Sequence, residues 1–160
     1  MKNGVTIPSA RREREKAELR ERILTAARTM FTTEGYEAVT MRKIAKSISY
    51  TATALYYHFP DKRSILMELC RQDFLTLVNF LHRIGKIADP VERLRKMGMA
   101  YVNFGIEYPQ HYRLIFMTPH PDGMDCAENC DGEGDPHQDS YASLMQAVRE
   151  AKETGRFRKE

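Results

Sequence analysis

Apolar residues recur at helical spacing through most of the chain, and no segment alternates convincingly with period two. That pattern predicts an all-α protein. Ile23, Leu24, Ala27, Met30 and Phe31 share one face of a first helix over residues 17–34, and Gly35 follows as its C-cap. The stretch before it, residues 11–22, mixes Arg and Lys with Glu and favours helix. Residues 1–10, with Gly4, Pro8 and Ser9 and no periodicity, read as a disordered tail. Thr40 can cap a short second helix that turns Met41, Ile44, Ala45 and Ile48 inward. Ser49, Tyr50 and Thr51 make a turn, and a third helix over residues 52–58 points Leu55 inward until Pro60 stops it.

Asp61 offers a cap for a long helix over residues 62–86, with Ile65, Leu66, Leu69, Leu77, Val78, Leu81 and Ile84 as its stripe. Asp89 and Glu92 flank Pro90 as a capping box, with proline at the first helical position. The helix they open reaches Glu107, with Val91, Leu94, Met97, Tyr101, Val102 and Ile106 at helical spacing. Pro109 breaks it, and residues 110–117 read as one short apolar helix. Residues 118–138 hold three Pro, three Gly, six Asp/Glu and no Lys or Arg, which predicts an acidic loop. A last helix over residues 140–154 carries Tyr141, Leu144, Met145 and Val148 on one face and stops at Gly155. The expected organisation is a basic, partly disordered arm (1–16), a three-helix unit (17–63) and a helical body (64–160).

A chain of 160 residues suits one domain, or a small domain joined to a second helical unit. The longest apolar run, residues 97–102, is far short of the ~20 residues a membrane span needs. Residues 1–9 lack the apolar stretch of a secretory signal. These features lead us to expect a soluble, cytoplasmic protein with no membrane partner. Three cysteines are too few and too unevenly placed for a disulfide scaffold, and Cys70 reads as a packing thiol. Charge changes the picture more. Residues 1–63 hold 13 Lys/Arg against 7 Asp/Glu, a net of +6, whereas residues 64–160 hold 12 against 15, a net of −3. A basic front on a mildly acidic body suits contact with a polyanion, although an ordinary solvated surface would carry the same charges.

Three short helices, the last two joined by a three-residue turn, resemble a helix-turn-helix unit. DNA binding asks some groups to hold phosphates and others to reach base edges in the major groove. Thr40 and the free N–H groups at the start of helix 2 can bind a phosphate, and Arg42 and Lys46 lie four apart on one face. Thr51, Ala52, Thr53 and Ala54 are small enough to bring helix 3 close to the groove floor. Tyr56, Tyr57 and His58 can hydrogen-bond phosphates. Lys62 in the first turn of a helix opposes the macrodipole, a cost of up to about 1 kcal/mol that a phosphate would reverse.

Residues 20–68 resemble the N-terminal domain of TetR-family transcriptional regulators. The resemblance rests on Ile23, Leu24 and Ala27, then Phe31, Gly35 and Tyr36. It continues through Val39-Thr40-Met41-Arg42-Lys43-Ile44-Ala45 and Leu55-Tyr56-Tyr57-His58-Phe59 to Lys62 and Leu66. The family usually has Gly then Val in the turn, where this chain has Ser49 and Tyr50. The resemblance implies that Thr40 and Arg42 contact DNA at the start of helix 2, that Thr51, Ala52 and Thr53 face bases, and that Tyr56, Tyr57, His58 and Lys62 hold phosphates. Arg11, Arg12 and Arg14 either reach along the DNA or form a solvated helix extension, and the second has the better claim.

The same resemblance implies a helical regulatory domain around a small-molecule pocket, and a homodimer built by two last helices. Tyr101, Phe104, Tyr108, His111, Tyr112, Phe116 and Met117 supply an aromatic-rich lining suited to an apolar effector, against plain core packing as the alternative. After Gly155 only five residues remain, so the expectation is an incomplete regulatory domain with weak or irregular self-association. His120, Cys126, Cys130 and His137 match no standard zinc spacing, and no metal or cofactor is expected. No nucleophile–base spacing or phosphate loop points to an enzyme. The expected function is a sequence-specific DNA-binding regulator, a repressor relieved by a small apolar ligand, with double-stranded DNA as its partner. The alternative is a helical protein-interaction module using exposed apolar faces.

Overall fold

The computed structural model describes residues 7–82, 84, 86–121 and 140–156, and these are built on helices without strands. In order they are α1 (Ile7–Glu34), α2 (Met41–Ser47), α3 (Ala52–Tyr56), α4 (Lys62–His82), α5 (Pro90–Glu107), α6 (Pro109–Tyr112), a π-helical turn (Arg113–Met117) and α7 (Ser140–Glu153). The chain divides into two compact units, one ending at Leu66 and the other beginning at Met67.

In the first unit α1 starts well before residue 17, so most of the expected arm is helix. The stretch has Ala10 and a run of good helix formers, and Arg11 Nε donates to Glu15 Oε1 at 2.7 Å one turn on. A helix turn that is polar all round leaves no apolar period, so only the helix propensity of residues 11–22 announced the extension. Further along, Ile23, Leu24, Ala27 and Phe31 are buried with Ile44 and Ala45 of α2 and Leu55 of α3. Gly35 takes φ +84 and its N–H donates to Phe31 O at 3.2 Å, ending α1 as expected.

The turn between α2 and α3 is a Schellman cap. Tyr50 N donates to Ala45 O at 2.9 Å and Ser49 N to Lys46 O at 3.1 Å. Ser49 sits at φ +61, the left-handed position that glycine usually fills. Thr51 then caps α3 through its side chain, accepting from Ala54 N at 3.3 Å. α3 is two residues shorter than predicted, because His58 N and Phe59 N both turn back to Leu55 O at 2.9 Å ahead of Pro60. Asp61 Oδ1 accepts from Ser64 N at 2.7 Å and caps α4.

In the second unit α4 buries Phe74, Leu77, Val78 and Leu81, and α5 buries Met97, Ala100 and Phe104. Ala147 and Ala151 are the buried residues of α7, and Arg93 of α5 pairs with its Glu150. α4 stops at His82 rather than residue 86, closing in tight turns from Ile84 N to Leu81 O and from Ile87 N to Ile84 O. Only half of the predicted capping box forms. Asp89 Oδ1 accepts from Val91 N at 3.0 Å, but Glu92 turns to Arg95 at 2.6 Å. Residues 110–117 divide between α6 and the π-helical turn, and Thr118 Oγ1 donates to Arg113 O at 2.9 Å where that wide turn ends. Cys70 is buried and disulfide-bonded, not the packing thiol expected. Residues 122–138 of the acidic loop lie outside the described residues.

Candidate nucleic-acid interface

α2 presents three cations with two different fates. Lys43 Nζ donates to Ala38 O at 2.8 Å and pairs with Glu34 at 3.0 Å. Arg42 and Lys46, one turn apart and exposed, make no hydrogen bond or ion pair among the described residues. Their charge is uncommitted. Thr40 Oγ1 accepts from Lys43 N at 3.2 Å, so the oxygen caps α2 while the hydroxyl proton stays available to an acceptor. Across the turn Thr51 and Thr53 are exposed and Ala52 is half-buried. Tyr56 and Tyr57 are 54% and 76% exposed, large amphipathic side chains that folding has left in water.

Three α1 residues that sequence reasoning passed over brace this surface. Arg22 Nη2 donates to Ile48 O at 2.9 Å, and its guanidinium lies 5.1 Å from the Tyr50 ring, so it pins the turn that Ser49 makes. Arg20 stacks on Phe59 at 4.4 Å and Lys16 lies 5.5 Å from the Tyr57 ring. Half-buried His58 is beside them, and its pKa is held below the ordinary value by burial and by the charges of Lys16 and Arg20. No local motif announces such contacts, since they join residues about 26 to 41 positions apart.

Lys62 is already engaged. Its Nζ donates to Tyr36 O at 2.7 Å and lies 3.9 Å from the Tyr36 ring. The macrodipole cost is therefore offset inside the protein, and no phosphate is needed to explain a lysine there.

The second unit holds a cavity of about 310 Å³. Phe74, Tyr101, Phe116 and Tyr141 give it aromatic walls, Leu77, Leu81, Met97 and Leu144 aliphatic ones, and Gly98 a gap in α5. Of the seven residues expected to line a pocket, Tyr101 and Phe116 do. Phe104 and Tyr108 stack on each other at 5.8 Å, with Phe80 edge-on at 5.9 and 5.6 Å. His111 Nδ1 lies 2.8 Å from Oδ1 of the fully buried Asp73 without hydrogen-bond alignment. The Tyr101 hydroxyl donates to that of Tyr112 at 3.1 Å, and burial together with this bond pushes the Tyr101 phenol up to about 12. Met117 is 66% exposed and stands outside the lining.

Among the described residues no group of three metal-ligating side chains comes together. Cys126, Cys130 and His137 lie outside them. Among the described residues, no helix is long and apolar enough to cross a membrane.

Residues 23–69 match the family model described as bacterial regulatory proteins, tetR family. The chain is 35% identical over 105 residues to the Staphylococcus aureus (strain Newman) biofilm operon icaADBC HTH-type negative transcriptional regulator IcaR, a match covering 63% of this chain and 55% of that one. It is 35% identical over 68 residues to the HTH-type transcriptional repressor AcnR of Corynebacterium diphtheriae, covering 42% and 36%. The chain thus spans about a third to a half of the length of these relatives. Among solved structures it resembles the TetR family transcriptional regulator PfmR from Thermus thermophilus, with a TM-score of 0.65 and 26% identity over 86% of this chain and 74% of that one.

Proposed function

We propose, from the TetR-family helix-turn-helix domain that this chain carries over residues 23–69, that the protein is a sequence-specific DNA-binding transcriptional repressor. The observation that carries the reading is the division of cations on α2. Lys43 is consumed by the fold, while Arg42 and Lys46 stay exposed and uncommitted beside the exposed start of α3. In this reading Thr51, Ala52 and Thr53 meet base edges, and Tyr56, Tyr57 and His58 hold phosphates together with the Thr40 hydroxyl. Lys62 positions the domain through Tyr36 and does not carry affinity itself. The cavity of the second unit receives a small apolar effector, which relieves repression by favouring a conformation with weaker DNA affinity. The named relatives support a repressor over an activator.

A second reading, a protein-interaction module, draws on Ile106, 72% exposed, and on Val102 and Met117 nearby in sequence. Selection of bound sites from random duplex DNA, with Tyr56→Ala as control, separates the two. A palindrome is expected, and would place two copies on the site. An isolated half-site would keep the DNA-binding reading and remove the pair. Failure to enrich any sequence overturns the repressor. Steep weakening with salt marks phosphate contact, whereas apolar association would not weaken.

A further inference from the structure

We propose that Gly98 sets the ligand class of the cavity in the second unit, which takes an uncharged aromatic molecule laid across the gap that this residue leaves in α5. The inference rests on the reading of that cavity as an effector site and names the chemistry it selects.

α5 contains two glycines well inside a helix of 18 residues, where glycine is weaker than alanine. Gly105 has a packing reason. A Cβ there would lie 3.4 Å from Cδ2 of Tyr112, in contact with the Tyr112 ring of α6. Gly98 has none. A Cβ at 98 meets nothing within 4 Å, and its backbone is helical with no positive φ. What it borders is the cavity. One turn to either side α5 places large side chains, Leu94 and Tyr101, and Met97 beside it is buried. The missing side chain therefore keeps volume open at a cost to the helix.

The walls choose the occupant. Among the described residues no Lys, Arg, His, Asp or Glu lines the cavity, so a carboxylate or ammonium seated against these walls would lose hydration without gaining a partner from them. The rings meet at steep angles. Phe74 and Phe116 are 5.9 Å apart at 76°, and Tyr101 and Phe116 are 5.5 Å apart at 68°. Such edges favour another ring offered face-on. A volume of about 310 Å³ is at the small end for ligand pockets and suits a molecule of about two or three rings.

The test uses N-phenyl-1-naphthylamine, a neutral two-ring-system amine that fluoresces in apolar surroundings, and 1-anilinonaphthalene-8-sulfonate, its close relative with a fixed charge. The chain has no Trp, so no indole emission interferes. The neutral probe is expected to bind saturably at one per chain, and the sulfonate about tenfold more weakly or worse. Gly98→Leu should weaken the neutral probe by about tenfold or more by filling the gap. Gly98→Ala should weaken it less and yet raise Tm by about 2–4 °C, because alanine is the better helix former. Opposite movement of stability and affinity at one position is the signature of space kept for a ligand. Should Gly98→Leu not fold, Gly98→Ala decides alone. Equal binding of both probes, absence of saturable binding, or wild-type affinity in the Ala variant overturns the proposal. DNA binding measured on the same preparations keeps the two readings apart. Probe failure with intact DNA binding removes this inference only, and probe success without DNA recognition removes the repressor only.

Discussion

In the first unit four cations contact groups other than carboxylates: Lys62 and Arg22 donate to carbonyls, and Arg20 and Lys16 lie over rings. Around α5 and α7 cations meet acids in the ordinary way, Arg93 with Glu150, Arg95 with Glu92 and Arg156 with Asp89 at 2.8 Å. On α2, Lys43 is paired with Glu34, whereas Arg42 and Lys46 make no ion pair among the described residues. The second unit ties Arg93, Arg95 and Arg156 to acids and leaves volume unfilled beside α5. In the proposed reading, the face offered to a polyanion is marked by charge left uncommitted and the body offered to an apolar guest by space left unfilled.

The most severe way to break that comparison is to treat the aromatic residues of the second unit as one set. Phe104 is fully buried in a three-ring stack, whereas Phe116 borders the cavity and is 41% exposed. Phe104→Ala should cost about 3–5 kcal/mol in urea unfolding, and Phe116→Ala at most about half of that. Equal losses would mean that the cavity is ordinary core, and the contrast between the units would fail.

The same logic sharpens the DNA face. Arg42→Ala and Lys46→Ala should each weaken DNA binding about tenfold, or 1.4 kcal/mol, and lower the salt slope by about one. Their stability should stay within about 0.5 kcal/mol of the parent. Lys62→Ala should do the reverse, costing about 1 kcal/mol of stability and leaving the slope alone. A slope that falls equally in Lys62→Ala would return that lysine to the phosphates. Titration of a fluorescent duplex at several salt concentrations reads all three.

Helices and caps were legible because each is a local affair: Thr40, Asp61 and Gly35 act on residues within four positions of themselves. The exposed face of α2 and α3 was legible for the same reason, since five- and seven-residue helices leave little choice of which side chains face out. The braces from α1 were not, because Arg22 reaches Ile48 and Lys62 reaches Tyr36 only through the tertiary fold. The cavity was least legible of all. An apolar stripe at helical spacing predicts burial but is silent on how well the buried residues fill the space. Tyr101 and Phe104, three residues apart on α5, therefore read alike although one lines a void and the other packs a core.

Ser49 tests whether the first unit stores strain where it presents α3. Its φ of +61 is costly for a residue with a Cβ, and Arg22 on the preceding carbonyl holds the turn against that cost. Ser49→Gly should stabilise the protein by about 1 kcal/mol in urea unfolding, and Arg22→Ala should destabilise it by a similar amount. Loss of stability in Ser49→Gly would show that the serine side chain contributes more than its backbone costs.

The smallest effect is a pH dependence that should take opposite signs in folding and in DNA binding. Burial, Lys16 and Arg20 keep the His58 pKa below its ordinary 6.5 in the folded chain. The unfolded chain therefore binds this proton more readily, and His58 costs nothing above about pH 6.5. As pH falls through 6.5 toward the lowered folded value, stability is lost, by less than about 1 kcal/mol because the ring is only partly buried. A DNA phosphate beside the ring reverses the local field, favours the imidazolium and takes up a proton on binding. DNA affinity should then rise over the same interval in which the free protein weakens. Lys16→Ala removes one repelling charge, which should shrink the stability loss, and His58→Gln should remove both slopes. Urea midpoints and duplex titrations between pH 7.5 and 5.5 check this. Slopes of the same sign in the two measurements would place His58 away from the phosphates and leave Tyr56 and Tyr57 to hold that side of the DNA.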